Sequence, residues 1–357
     1  MVKLGRSSKK QIALKRIRFF LYEVVWVFII IFICLLIPIF LVPLFIEEGS
    51  VLYGVVFYSL RAILVFIGIP LVLILFNLIF EPQKRGLILQ EDISPARGHL
   101  KLYKITKKNY KYQLLYGLLI FFLLFLPIDF IGYLFIPEML EYQAVALGTK
   151  TTNSYLLTDN YFLFLISVII IQLSVAVTEE TISRGLITNR GSEHFFKMSA
   201  VIISALYWGL GHFAYFLDPI SGLYPYWFPI IWFVQAFIIG IILSLLIIRR
   251  RWIIPAIIAH ALNNIVSAHA VWNYWQGNNF IITGFYIYYP LLIIGCMFFV
   301  WNYSLIKGSV SIGFKMLRNY FKLDKEIELT KGDAYFRGFF DVLMGILIFI
   351  MGFMIMI

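Results

Sequence analysis

The sequence predicts an all-α fold, a polytopic bundle of about nine transmembrane helices. Of the 357 residues, 61% are hydrophobic and only 14% are charged, whereas roughly a quarter of residues are charged in soluble globular domains. The mean hydropathy is +0.88. A helix needs about 20 apolar residues to cross the hydrocarbon core of a bilayer, so this length and composition allow about nine crossings. The two cysteines, Cys34 and Cys296, lie within apolar runs, which argues against a disulfide framework or a four-ligand zinc site.

Long apolar runs bounded by charged residues, proline and glycine define the individual spans. The first run, 19–46, follows a basic N-terminus and is longer than the apolar region of a signal peptide, which has about 7–15 residues. We therefore expect it to be retained as a span. For the last run, 336–357, the alternative is a helix that lies along the membrane interface. The predicted spans are 19–46, 51–80, 112–137, 161–187, 197–217, 225–248, 252–272, 279–306 and 336–357.

Basic residues are concentrated in alternate connections between these spans. The connections 81–111, 188–197 and 307–335, the N-terminal tail and the cluster Arg249–Arg251 hold most of the lysine and arginine. By the positive-inside rule these segments are cytoplasmic, so the N-terminus is cytoplasmic and the C-terminus lies on the far side. The formal net charge of +11 is therefore a topology signal. Because the basic residues separate membrane spans, we expect the lipid bilayer as a partner and no nucleic acid.

Ionisable residues inside the spans are functional hypotheses, because a charged side chain at the bilayer centre costs at least about 2.5–3.5 kcal/mol. Glu23 and Asp341 lie near cytoplasmic ends, where snorkelling or pairing with nearby lysine and arginine explains them. Asp129 is predicted to cap a half-helix, and Arg61 lies deeper, with Asp129 as a conceivable partner. His269 is predicted to be interfacial. No role is assigned to the histidines of the cytoplasmic connections, His99 and His194.

The remaining polar residues cluster on the fourth, fifth and seventh spans. Glu180 and Arg184 are four positions apart, so they lie one above the other on a helix and can form an ion pair. Glu179 points about 100° away from Glu180 on the same helix. The two glutamates therefore face different surroundings and cannot have the same role. One can be neutralised by Arg184 while the other faces a cavity.

The fifth and seventh spans bring two histidines to the same layer of the membrane. Gly209 and Gly211 remove side-chain bulk just before His212, which permits close helix approach or a pocket. His260 and Asn264 are four positions apart and present two hydrogen-bonding groups from one face. At a rise of about 1.5 Å per residue, these groups and Glu179 all fall between the cytoplasmic half and the middle of the membrane.

This set of residues suits amide hydrolysis without a covalent intermediate. A carboxylate beside a histidine in a partly dry cavity can activate water, and His260 and Asn264 can stabilise the resulting oxyanion. Neither HExxH nor GxSxG occurs in the chain. Three alternatives stay open: the polar residues only lock helices together, Glu179, His212 and His260 bind a metal, or the set is a proton relay in a transporter.

Three motifs in order give the sequence a family resemblance. Glu-Glu-x-x-x-Arg on one span, an aromatic residue four positions before histidine on the next, and His-x-x-x-Asn two spans later resemble the CPBP family. This family, also called Abi or type II CAAX prenyl protease, comprises glutamic intramembrane endopeptidases. The match covers roughly residues 160–275, and Trp208 stands where phenylalanine is commoner.

The resemblance implies a division of roles among the motif residues. It makes Glu179 and His212 the pair that activates water, and His260 and Asn264 the oxyanion site. The resemblance gives a supporting role to Glu180, Arg184 and Trp208. No cofactor and no metal are implied.

The resemblance also implies how the chain is organised and what it acts on. A catalytic core over 156–275 follows an N-terminal transmembrane region, 1–155, with about three spans, and precedes a C-terminal transmembrane region, 276–357. The site is expected to open to the cytoplasmic side or laterally to lipid, and the expected substrate is a membrane-associated peptide or a prenylated protein. The alternative is a non-catalytic immunity or scaffold member of the family. The sequence does not indicate an oligomeric state.

Overall fold

The computed structural model describes residues 9–80, 94–217, 221–321 and 331–356. Within these ranges the chain is helical and contains no β-strand. Nine helices of this part of the chain are long and apolar enough to span a membrane, which confirms the predicted fold class and an integral, multi-pass membrane protein. They are Val25–Leu44, Val51–Leu75, Tyr110–Phe135, Tyr161–His194, Lys197–Leu217, Trp227–Arg250, Ile254–Trp275, Phe280–Trp301 and Lys331–Phe353.

Parts of the predicted basic connections are helical or undescribed. Residues 81–93 and 322–330 lie outside the described part of the chain. The segment before the second gap, Tyr303–Tyr320, forms a helix. The connection between the third and fourth spans contains a further helix, Glu138–Gly148. These elements leave the order of the nine spans as predicted.

The fourth span is longer than predicted and continues through the segment expected to be a basic loop. Its helix runs to His194, because Arg190 is satisfied inside the bundle by an ion pair with Glu23. Arg190 Nε donates to Glu23 Oε2 over 2.9 Å, and both side chains are buried. Pairing with a nearby arginine was the explanation predicted for Glu23.

The last span packs along the fifth span. A Cβ added at Gly345 would lie 2.9 Å from Cβ of Leu206, so the absence of a side chain permits this approach. Asp341 on the last span accepts a hydrogen bond from Arg16 Nε over 2.6 Å and another from the Tyr320 hydroxyl over 3.1 Å. The predicted pairing of Asp341 with a nearby basic residue is therefore observed.

Close approach of the fifth and sixth spans depends on Gly209. A Cβ at this position would lie 3.2 Å from ring carbons and 3.3 Å from the carbonyl oxygen of Phe233. A Cβ at Gly211 would meet nothing within 4 Å. The two glycines were predicted to permit close helix approach or a pocket; Gly209 permits the close approach, and the space beside Gly211 is open.

The fourth span widens into a π-helix over Thr181–Arg190, directly after the two glutamates. Side-chain hydroxyls tie this segment down, because Ser204 of the fifth span donates to the carbonyl of Ser183 over 2.7 Å. The Thr188 hydroxyl oxygen lies 3.2 Å from the same carbonyl oxygen and 3.0 Å from Ser244 Oγ of the sixth span. Short π-helical segments occur frequently at functional sites.

His99 lies against this π-helix, although no role was predicted for it. It belongs to the short helix Pro95–Leu100 and is completely buried. A Cβ added at Gly185 would lie 2.6 Å from His99 Cε1, so the glycine makes room for the ring. Burial lowers the pKa of His99 to about 4. This burial was not predicted, because a position in a connection does not reveal packing beneath a neighbouring helix.

Candidate active site

Glu179 is held by side chains from two other spans. Its Oε2 accepts a hydrogen bond from the indole Nε1 of Trp208 over 2.7 Å. The same oxygen lies 3.9 Å from His260 Nε2, which is longer than a direct hydrogen bond. The Glu179 side chain keeps 23% of its surface exposed, so the carboxylate is oriented without being enclosed.

Glu180 forms the predicted ion pair with Arg184 and also binds His260. Glu180 Oε2 lies 3.2 Å from Arg184 Nε, and its other oxygen lies 2.9 Å from His260 Nδ1. The three side chains are buried. The guanidinium carbon of Arg184 stacks 4.4 Å above the centre of the Trp208 ring. Glu180, Arg184 and His260 thus form one buried polar cluster, with Trp208 packed on it.

His212 is fixed through one ring nitrogen. Its Nδ1 lies 3.1 Å from the backbone carbonyl oxygen of Trp208, one turn earlier in the fifth span. A nitrogen in this position must donate, so the proton is on Nδ1 and Nε2 is left as an acceptor. The ring packs edge-on against Trp208 and Trp232, at centroid distances of 5.1 and 5.4 Å. It also interacts electrostatically with Glu179.

A cavity lies beside these groups. The volume open to the centre of a water molecule is about 90 Å³, enough for several waters. It reaches Gln143, in the connection that the predicted topology places on the non-cytoplasmic side. Glu179 does not line this cavity but borders it through Trp208 and His260. The polar side chains of the wall include Asp129, His212, Gln235, His260, Asn263 and Asn264.

Asp129 belongs to this wall, which the sequence analysis missed. It was predicted to cap a half-helix, but the helix over Leu126–Phe135 has no side-chain cap, and the carboxyl group interacts with the Asn263 side chain in the cavity wall. Asp129 and Tyr133 are four positions apart, as are Asn263 and Ser267, and Tyr133 and Ser267 are joined by a 2.8 Å hydrogen bond. Because residues four apart share a helix face, these matched spacings were the signal for a polar stripe between the third and seventh spans.

Arg61 does not pair with Asp129, the partner considered from the sequence. Its electrostatic interactions are with Glu179, Tyr58 and Tyr207. The second span therefore directs a basic side chain toward the motif glutamate, from a region of the chain that no motif covers. His269 is placed near no motif residue: its Nδ1 lies 2.8 Å from the carbonyl oxygen of Ile265.

The described residues contain no group of three histidine, cysteine, aspartate or glutamate side chains arranged to hold a metal ion. Glu179, Glu180, Arg184, Trp208 and His260 are in mutual contact. The other two motif residues, His212 and Asn264, line the cavity together with His260. The structure thus brings the seven residues singled out in the sequence to one place.

Residues 161–266 match the family model described as type II CAAX prenyl endopeptidase, Rce1-like. All three motifs, from Glu179 to Asn264, fall within the matched segment. This supports the CPBP family that the motifs indicated, a family of membrane endopeptidases. No curated protein and no solved structure matches the chain.

Proposed function

With residues 161–266 as a domain of the Rce1-like type II CAAX prenyl endopeptidase family, we propose that the chain is a glutamic-type intramembrane endopeptidase. One observation carries the proposal: Glu179 Oε2 and His260 Nε2 face each other at 3.9 Å while other side chains hold both residues. That separation is too long for a direct hydrogen bond. A third oxygen atom, from water or from a peptide carbonyl, can therefore be bound beside both groups.

Glu179 acts as the general base in this proposal. Its carboxylate takes a proton from a water molecule, whose oxygen attacks the carbonyl carbon of the scissile peptide bond. Trp208 holds one carboxylate oxygen, which orients the group. Glu179 then delivers this proton to the leaving nitrogen as the carbon–nitrogen bond breaks. Because water itself attacks the carbonyl carbon, no acyl-enzyme forms.

His212 assists this proton transfer. With its proton on Nδ1, bonded to the Trp208 carbonyl, its Nε2 has a free lone pair. A neutral imidazole can accept a hydrogen bond from the attacking water and orient it toward the substrate. Substitution of His212 should therefore lower the rate of the chemical step more than it lowers substrate affinity.

His260 and Asn264 stabilise the oxyanion of the tetrahedral intermediate. In this proposal Glu180 engages Nδ1 of His260, and the Nε2–H group donates to the developing negative charge. Asn264 adds a neutral amide donor from the same helix face.

The position of the site inside the bundle favours a membrane-associated substrate. A peptide must enter a site within the membrane layer, which favours a membrane-associated chain over a soluble one. We propose that the substrate is the C-terminus of a prenylated CAAX-type protein and that the tripeptide after the modified cysteine is released. This step rests on the family match and on the site's depth in the bundle.

The test is to incubate the purified protein in lipid nanodiscs with matched prenylated and unprenylated CAAX peptides and to identify the products by mass. We expect release of the tripeptide from the prenylated peptide and its loss in Glu179→Gln and His260→Ala. The matched control is His269→Ala, nine positions further along the seventh span, which should retain turnover. Unaltered turnover in Glu179→Gln would remove the base assignment.

Two further outcomes would replace the proposal. Loss of turnover on chelation, restored by added zinc, would favour a metal mechanism. Absence of cleavage, with an intact biological effect in the Glu179/His212 double substitution, would favour a scaffold or immunity function.

A further inference from the structure

Arg61 lies deep in the second span, far from both ends of its helix. It is ten residues from Val51 and 14 from Leu75, which corresponds to about 15 Å and about 21 Å at about 1.5 Å per residue. An arginine near a helix end can snorkel to the lipid headgroups, but a residue at this depth cannot reach them easily. A basic residue so placed is a functional hypothesis by default.

The guanidinium group of Arg61 has no fixed partner. Within the described residues it makes no hydrogen bond and no ion pair, and its Nε is buried from solvent. Other buried or membrane-embedded arginines of this chain are paired: Arg184 with Glu180, and Arg190 with Glu23. An unpaired guanidinium in a medium of low polarity is costly, so a ligand that pairs with it would be bound strongly.

Two of the groups around Arg61, Tyr58 and Glu179, are engaged with other partners. Tyr58, one turn earlier, has its hydroxyl 3.2 Å from Thr152 Oγ1 and 3.1 Å from Asn153 Oδ1. Glu179 accepts a hydrogen bond from Trp208 and interacts with Arg61 electrostatically. Arg61 therefore interacts electrostatically with the candidate base while its own hydrogen-bonding capacity is unused.

We propose that Arg61 binds the C-terminal carboxylate of the substrate peptide and so sets the length of the segment that is removed. The inference rests on the proposed endopeptidase function. A guanidinium group matches a carboxylate with two parallel hydrogen bonds, a geometry that an internal peptide group cannot provide. The assigned residue lies outside the matched family segment, 161–266.

The length of a short leaving peptide fits this arrangement. Three extended residues span about 10 Å, at about 3.3–3.6 Å each. The second span, which carries Arg61, packs along the fourth span, which carries Glu179, and the two charges interact. A scissile carbonyl at Glu179 and a terminal carboxylate at Arg61 can thus belong to one short extended segment, whereas a longer segment would have to fold back.

The experiment compares two peptides that differ only at the C-terminus, one with a free carboxylate and one with a carboxamide. We expect the wild-type protein to cleave the carboxylate peptide about tenfold to hundredfold more efficiently in kcat/KM, the range for a charge-assisted hydrogen bond. Arg61→Gln should lose that preference, so that its kcat/KM for the carboxylate peptide falls to about its own value for the carboxamide peptide. Arg61→Lys, which keeps the charge, should restore part of the preference.

A second pair of peptides tests the length selection, with three or five residues after the scissile bond. Wild-type protein should favour the shorter leaving segment, and Arg61→Gln should not discriminate between them. The matched control is Arg250→Gln, because Arg250 bonds the Tyr116 hydroxyl over 2.8 Å away from the site. This variant should keep both preferences.

Each contrary outcome has a distinct meaning. Equal cleavage of the carboxylate and carboxamide peptides by the wild-type protein would overturn the Arg61 assignment and leave the endopeptidase function intact. This comparison uses the wild-type protein alone. An equal loss on both peptides in Arg61→Gln would show that Arg61 acts through Glu179 or the fold, which also overturns the assignment. Failure of the wild-type protein to cleave any peptide would remove both proposals.

Discussion

The indole Nε1 of Trp208 donates a 2.7 Å hydrogen bond to Oε2 of Glu179, which links the first two motifs of the chain through one contact. The guanidinium carbon of Arg184 stacks on the same indole ring, 4.4 Å from its centre. His260 packs edge-on against the ring at 5.4 Å. A single side chain thus positions the candidate base, covers the buried cation and contacts the candidate oxyanion histidine.

Trp208→Phe separates the hydrogen bond from the packing. Phenylalanine keeps an aromatic ring beside Arg184 and His260 but cannot donate to Glu179. A hydrogen bond to a charged group contributes about 1.5–3 kcal/mol, so we expect kcat/KM to fall about tenfold to hundredfold. The melting temperature of the purified variant in detergent should stay close to that of the wild-type protein. Activity at the wild-type level would show that the hydrogen bond does not orient the base.

Arg184→Met should strongly destabilise the protein. It leaves the completely buried Glu180 without its cation, and breaking a buried ion pair from one side costs about 3–5 kcal/mol. Thermal melting in detergent measures the loss.

The double substitution Glu180→Gln with Arg184→Met is the informative comparison. Removing both charges should restore much of the stability, because no unpaired charge remains. Peptidase activity should stay low, because His260 loses the carboxylate that engages its Nδ1. If the double variant melts as low as Arg184→Met, the buried pair is not the source of the stability.

Local spacing predicted those parts of the site that lie on one helix. Glu180 and Arg184 are four positions apart and form the expected pair. The contact between Glu180 and His260 joins residues 80 positions apart, and its existence depends on how the fourth and seventh spans are rotated against each other. Spacing along one helix contains no information on that rotation.

Other features were missed because burial in a membrane protein is decided by packing between spans. His99 reads as a residue of a basic connection, yet it is buried against Gly185 of the fourth span. Asp129 follows a helix-breaking proline in sequence, but its helix continues and its carboxyl group lines the cavity. The number and order of spans need only composition, which explains why they could be predicted.

Asn264→Ala should slow the chemical step. Loss of one oxyanion donor typically lowers kcat by about 10²–10³-fold, and the substrate KM should change little because the interaction forms in the transition state. The control is Asn263→Ala, the same substitution at the adjacent position of the cavity wall. An effect of Asn264→Ala on KM alone would indicate a role in substrate binding.

His99 should make the stability of the protein depend on pH. Burial holds its pKa at about 4 in the folded state, whereas the unfolded chain binds this proton at about pH 6.5. The unfolded state therefore carries more protons between these values, so stability falls as the pH is lowered through this window, by up to about 3 kcal/mol. In His99→Gln this contribution is absent, and melting in detergent from pH 7.5 to 4.5 should show a shallower decline than in the wild-type protein. Parallel declines would mean that the ring takes up its proton in the folded state as easily as in the unfolded chain.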